Sequence, residues 1–223
     1  MPTVLKLKNI TKEFFEPRKK IVALNNINFD LSDGQCICLL GPSGSGKTTL
    51  LQIAGLLDSP TKGEIIINGK KCDHLSEEDK NFIRKQHIGF VYQNFYLLDS
   101  FSALENVIIP QLINGSGFNN ARKRAKNLLS DLGLSKRLYN KPRELSGGEK
   151  QRVSILRAIA NRPKIILADE PTGNLDKKNS ENVVKIIKDM VNHYNISFII
   201  ATHNLSITKK FDKIVKISEG KII

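Results

Sequence analysis

A chain of 223 residues with 40% hydrophobic content can bury one sizeable core, and none of its apolar stretches approaches the length of a transmembrane span. Its 35 basic and 22 acidic residues give a formal charge of +13, but the positive residues are spread out, with small clusters at Arg18-Lys19-Lys20, Lys70-Lys71, Arg122-Lys123-Arg124 with Lys126, and Lys209-Lys210. A solvated surface beside an anionic membrane leaflet explains that pattern as well as DNA does, and with no nucleic-acid module and no Trp, no nucleic acid is expected as a partner.

The opening Met1-Pro2-Thr3-Val4-Leu5-Lys6-Leu7-Lys8 alternates as a strand does and lacks a signal-peptide core, so the chain is expected to remain in the cytoplasm. The apolar run Cys36-Ile37-Cys38-Leu39-Leu40 predicts a buried strand. Cys36 and Cys38 share one face of it and Cys72 lies elsewhere. They read as small buried apolar residues and reduced thiols, not as a zinc site or a disulfide framework.

Directly after that strand come Gly41-Pro42-Ser43-Gly44-Ser45-Gly46-Lys47-Thr48 and a helical run that continues through Thr49 to Ala54. A plain Gly/Ser turn is the bland alternative, but strand, full pattern and helix in register favour a phosphate-binding loop. Gly41, Gly44 and Gly46 have no Cβ, so the backbone can turn several N–H groups toward a phosphate oxygen, and the positive helix end favours the same anion. Lys47 would reach the β- and γ-phosphates as a point charge, and the Thr48 hydroxyl would be a ligand of Mg²⁺.

Further along, Glu64-Ile65-Ile66-Ile67 and Lys70-Lys71 flank Asn68-Gly69, a hairpin turn, and Ile88-Gly89-Phe90-Val91-Tyr92 reads as another strand. Gly115-Ser116-Gly117 is a loop before an amphipathic helix at 119–132. In Leu145-Ser146-Gly147-Gly148-Glu149, Ser146 and Glu149 form a capping box for the helix that follows. Two glycines in its first turn each cost about 1 kcal/mol relative to alanine, which makes sense if a phosphate must approach bare backbone N–H groups there.

Ile165-Ile166-Leu167-Ala168 suits a central parallel strand buried on both faces, delivering Asp169 and Glu170 to the end where ligands sit. Asp169 would hold Mg²⁺ through water, and Glu170 is the candidate general base for an attacking water. An acidic helix start before Pro171-Thr172 is the alternative. A helix at 180–192, a strand Phe198-Ile199-Ile200-Ala201-Thr202 and a hairpin over 214–223 complete an α/β pattern, with no regulatory domain expected to follow.

On these residues the chain resembles the nucleotide-binding subunits of ABC transporters over nearly its whole length. Leu145 to Gln151 matches their signature, Gly173-Asn174-Leu175-Asp176 their D-loop, Gln93 the Q-loop glutamine and His203 the switch histidine. A Gln after a strand or a His at a strand end is weak alone; their order and spacing make the combined match. The implied fold is α/β, a P-loop NTPase cassette with a mainly parallel central sheet, an N-terminal antiparallel β part and an α-helical signature lobe. It would be a single domain, with about 1–94 and 163–223 forming the RecA-like core plus β part and about 95–162 the helical lobe.

The resemblance further implies an ATPase using ATP and Mg²⁺, with Lys47, Glu170 and His203 catalytic and Thr48, Gln93 and Asp169 around the metal. It implies a head-to-tail homodimer in which each ATP lies between one chain's phosphate loop and the other's Ser146, Gly147 and Gly148, and it counts Asp176 among the nucleotide-binding residues. Phe14 aligns with an aromatic that stacks on adenine, more often Tyr; a core aromatic at the end of the first strand is the even alternative.

Gly55-Leu56-Leu57-Asp58, Phe101-Ser102-Ala103-Leu104-Glu105-Asn106-Val107 and Pro171-Thr172-Gly173-Asn174-Leu175-Asp176 resemble the branch of lipoprotein-releasing subunits, MacB-type exporters and FtsE-like cell-division ATPases, the first most of all. That implies peripheral attachment to the cytoplasmic face of an inner membrane, integral permease partners of the LolC/LolE kind, and lipoprotein substrates met through them. Asn94-Phe95-Tyr96 in place of Phe-His-His, and Asn204 where Asp is common, are departures from the pattern. A soluble ABC ATPase acting on nucleic acid or ribosomes, or a scaffold that does not hydrolyse ATP, are the rival readings.

Overall fold

The computed structural model describes residues 2–17 and 19–223, with backbone alone at 16, 177 and 206; Met1 and Arg18, the latter from one basic cluster, lie outside the described residues. Strands β1 (Thr3–Glu16), β2 (Lys19–Ser32), β4 (Lys62–Ile67) and β5 (Lys70–Lys71) form an antiparallel sheet in the order β2-β1-β4-β5. The Asn68-Gly69 turn joins β4 to β5 with positive φ at both residues, 48° and 78°, as a primed hairpin turn requires.

The second sheet contains β3 (Cys36–Leu40), β6 (Ile88–Tyr92), β7 (Ile165–Asp169), β8 (Ser197–Thr202), β9 (Lys213–Ser218) and β10 (Lys221–Ile222), in the order β10-β9-β3-β8-β7-β6. It is parallel from β9 to β6, and β10 closes its edge as an antiparallel hairpin.

Because side chains alternate across a strand, each central strand serves two cores. Ile37, Leu39, Ile165, Leu167, Ile199 and Ala201 face a core shared with β1, β2, β4 and helix α1 (Lys47–Ala54). Cys36, Ile166, Ala168, Phe198 and Ile200 face the other, shared with α3 (Ala103–Ile113), α4 (Phe118–Asp131), α5 (Gly147–Ile159) and α6 (Lys177–Tyr194). Burial on both faces is why these strands read as continuous apolar runs. The three cysteines are free and buried, and burial pushes the Cys36 and Cys38 thiols up to about 12. Two further α-helices are α2 (Glu77–His87) and α7 (Leu205–Thr208), short 3-10 turns lie at Ser135–Arg137 and Pro142–Glu144, and among the described residues no helix is long and apolar enough to cross a membrane.

α4 falls within one residue of its expected bounds, whereas α6 starts three residues earlier than 180 because Asp176 caps it, accepting from Asn179 N at 2.8 Å. The segment before α3 is tied down by one buried side chain. Asn106 Oδ1 accepts from Leu98 N at 2.8 Å, and its Nδ2 lies 3.2, 3.1 and 3.0 Å from the carbonyls of Leu98, Phe101 and Ser102. Asn106→Leu should therefore cost at least about 2 kcal/mol, since it strands buried backbone groups, and should lower the urea midpoint of unfolding. An unchanged midpoint would mean that water replaces those bonds.

Candidate functional site

The parallel register puts the ends of four strands level. Tyr92 pairs with Asp169, Asp169 with Ala201, and Ala201 with Leu39, so the next residues along, Gln93, Glu170, Thr202 and Leu40, form one row at the carboxyl edge of the sheet. The phosphate-loop residues follow Leu40 directly and His203 follows Thr202. A cavity of about 520 Å³ opens over this edge. Ser43, Gly44, Gly46, Lys47, Thr48 and Thr49 line it together with Gln93, Asp169, Glu170 and His203. Gly41, Pro42 and Ser45, of the same loop, do not line it.

Gly46 caps α1 at φ 102°, a left-handed conformation open to glycine, and a Cβ there would lie 2.6 Å from the Ala23 carbonyl. The loop thereby passes close to Ala23 and Leu24 of β2 as it enters the helix. Lys47, only 7% exposed, donates from Nζ to the Gly41 and Pro42 carbonyls at 2.8 Å each. Thr48 Oγ1 donates to Asp169 Oδ2 at 2.8 Å, which joins the helix start to the end of β7. Burial raises the Asp169 carboxyl above its usual range, as does Glu170, while Thr48 and Lys47 oppose the rise.

No helix begins at Asp169 and Glu170; the next one starts at Lys177, which removes the acidic helix start as an explanation. Glu170 turns out of β7 at φ 46°, a conformation that costs a non-glycine residue about 1 kcal/mol or more. Its Oε1 is 2.8 Å from His203 Nδ1, and its Oε2 accepts from Thr202 Oγ1 at 3.1 Å. Gln93 Nε2 donates to Asn174 Oδ1 at 3.2 Å, and Asn174 Nδ2 donates to the Gln93 carbonyl at 3.1 Å, so the segments after β6 and β7 are linked. Phe95 and Tyr96 follow with positive φ, 57° and 45°, and Arg157 of α5 binds both of their carbonyls.

Besides Gly41, Pro42 and Ser45, five more of the expected residues, Phe14, Ser146, Gly147, Gly148 and Asp176, are not part of the cavity wall. Ser146 forms the anticipated capping box, with Glu149 N to Ser146 Oγ at 3.3 Å and Ser146 N to Glu149 Oε2 at 2.8 Å. The Ser146 N–H, and then Arg137, hold the Glu149 carboxyl below its usual range. Gly147 is exposed and a Cβ there would meet only the Leu175 side chain, at 3.6 Å, whereas Gly148 is buried against Asn179. Asp176 is engaged in capping α6, and the Asn179 N–H lowers its carboxyl. Phe14 is 41% exposed, with the Lys12 ammonium 5.0 Å from its ring centre. It pairs with Ile21, which does line the cavity, and directly opposite residues point to the same face of a sheet.

The wall also includes Ile21, Val22, Ala23, Glu219 and Gly220, none of which the sequence reading singles out. They come from two hairpins remote in sequence, joined to the site by Gly220 N to Ser45 O at 3.1 Å and Asn25 N to Gly220 O at 2.8 Å. Only the Glu219-Gly220 pair carried a local signal, that of a turn.

A family model described as ABC transporter matches residues 24–173. The lipoprotein-releasing system ATP-binding protein LolD 1 of Rhodospirillum rubrum is 47% identical over 98% of this chain and 97% of its own length. The LolD protein of Rickettsia bellii is 46% identical over the same shares. Among solved structures, the ATP-binding cassette MJ0796, a dimer in a post-hydrolysis state bound to ADP and Pi, superposes with a TM-score of 0.90 at 38% identity, covering 98% of this chain and 96% of that one. A family match over most of the chain, near-full-length relatives and a shared fold together mean that the chain belongs to the ABC transporter family, as an ATPase cassette.

Proposed function

We propose that this chain is the ATP-hydrolysing subunit of an inner-membrane ABC complex that releases lipoproteins from that membrane toward the outer one. The observation that carries hydrolysis is the level row of strand ends, which brings the phosphate loop, Asp169, Glu170 and His203 to one cavity. The cargo follows from relatives that are lipoprotein-releasing ATP-binding proteins over nearly their whole length.

In this reading the N–H groups of residues 43–48 and the Lys47 ammonium bind the ATP phosphates, and Phe14 stacks on adenine from its place beside Ile21. Thr48, Asp169 and Gln93 would hold Mg²⁺. Among the described residues no cluster of three His, Cys, Asp or Glu could hold a metal by itself. A hydroxyl and one carboxylate oxygen 2.8 Å apart nonetheless suit a hard ion whose other ligands are phosphate oxygens and water. The raised Asp169 carboxyl is also one that a nearby cation would help ionise. When bound, the ion would offset charge developing on the phosphate oxygens. Glu170 takes the proton of the attacking water, and His203 turns from Glu170 to the γ-phosphate.

The reading includes a homodimer, because Ser146, Gly147, Gly148 and Asp176 lie off the chain's own cavity and would meet ATP held by a second copy. The helical lobe, about 95–162, would face integral permease subunits of the LolC/LolE kind, and the cassette would sit peripherally on the cytoplasmic face. The core, about 1–94 and 163–223, would hold the nucleotide.

The test is to tag the chain in its native cell, solubilise membranes gently and identify co-purifying proteins by mass spectrometry. Integral membrane proteins with large periplasmic domains together with acylated cargo are the expected result. A division-site protein or another permease would replace the cargo and keep the ATPase. Ribosomes or nucleic acid without a membrane partner would overturn the transporter.

A further inference from the structure

Among the described residues, two side chains touch the Glu170 carboxylate, and they differ in how firmly they are held. The His203 side chain is 66% exposed and lies beyond the end of β8. Thr202 is the last residue of β8, has no exposure, and is fixed at three points. Its carbonyl accepts from Gly41 N at 3.3 Å, at the start of the phosphate loop. Its hydroxyl oxygen accepts from Asn204 N at 3.1 Å and donates to Glu170 Oε2 at 3.1 Å. A hydroxyl has one proton, and a carboxylate can only accept, so the direction of that last bond is set.

We propose that Thr202 is the positioning residue for Glu170, its hydroxyl keeping the carboxylate in one orientation throughout turnover, including the stage at which His203 has left Oε1. The inference rests on hydrolysis taking place at this site with Glu170 as base. Among the described residues, a carboxylate carried on left-handed backbone at the end of a strand, with an exposed imidazole as its other partner, has Thr202 as its one firmly held donor. A general base that rotates loses the alignment on which proton transfer depends. Because the same residue touches the phosphate loop through its carbonyl, and the base and the segment after His203 through its hydroxyl, it also ties those three parts to a single point of the sheet.

The experiment compares steady-state ATP hydrolysis by the full-length chain, assembled with its membrane subunits, with that of Thr202→Val, Thr202→Ser and Glu170→Gln. Val keeps the shape and loses the proton donor; Ser keeps the donor and loses a methyl group. Thr202→Val should lower kcat about tenfold or more, the loss of one hydrogen bond to a charged group, while the KM for ATP stays within about twofold. Thr202→Ser should keep most of the parent kcat. Should the Val variant fail to fold, Thr202→Cys, a weak donor close to Ser in shape, is expected to show the same loss.

A parent-like kcat in Thr202→Val, or a Ser variant less active than the Val one, would overturn the proposal, the second because it marks packing as the role. Parent-like Thr202→Val beside inactive Glu170→Gln rejects the positioning role alone. A parent complex without ATPase activity, or Glu170→Gln turning over at the parent rate, rejects the underlying assignment of the site.

Discussion

Glu170→Gln is expected to reduce ATP turnover by about 10²- to 10⁴-fold, the range that a positioned general base contributes, while ATP still binds. The amide matches the carboxylate in size, so the row of strand ends and the left-handed turn at 170 should survive the change. What disappears is the proton acceptor. His203 Nδ1 at 2.8 Å and Thr202 Oγ1 at 3.1 Å can both still find a partner on the amide, which limits the structural cost.

Binding without turnover has a second consequence. If ATP bridges two copies through Ser146, Gly147 and Gly148, it favours the closed pair by its differential affinity for that state, and a variant that cannot split ATP should accumulate there. Gel filtration of Glu170→Gln with ATP should therefore show a dimer where the parent shows mostly monomer. Turnover at the parent rate would remove Glu170 from the base role. An inactive variant that stays monomeric with ATP would keep the base and remove the bridging contact.

How much of this was readable without coordinates depended on whether the signal was local. The loop after β3 and the strands β7 and β8 were legible because doubly buried strands write continuous apolar runs, and the candidate site lies at their ends. The capping box at Ser146 and Glu149 was equally plain, since both partners lie within four residues. α2 is the opposite case. Ile83 is its one fully buried residue, so it shows no apolar periodicity, although Ser76 and the acidic first turn were start signals worth using. The far wall of the cavity was out of reach, because Ile21 to Ala23 and Glu219-Gly220 meet only through pairing of remote hairpins. Thr202 was legible as the end of a strand but not as a partner of Glu170, since that contact spans 32 positions and depends on register between β7 and β8.

Lys47→Ala should act on binding, where Glu170→Gln acts on turnover. The ammonium is almost fully buried and is bonded to the Gly41 and Pro42 carbonyls of its own loop, a short reach from where phosphates would lie. Replacing a charge-assisted contact to phosphate costs roughly 2–3 kcal/mol, which corresponds to an ATP dissociation constant about 30- to 150-fold weaker. The fold should lose far less, because the Gly41 and Pro42 carbonyls that Lys47 leaves behind sit beside an open cavity where water can replace it.

The loss should also depend on pH. Lys47 is one of the two influences holding the Asp169 carboxyl down against burial and Glu170, so its removal lets that carboxyl rise further. A higher value means a larger protonated fraction as pH falls, and a protonated Asp169 is a poor partner for Mg²⁺. The binding deficit of Lys47→Ala should therefore widen toward acidic pH when measured by direct titration with Mg-ATP. Unchanged affinity would contradict the phosphate role of Lys47, and a deficit independent of pH would separate Lys47 from Asp169.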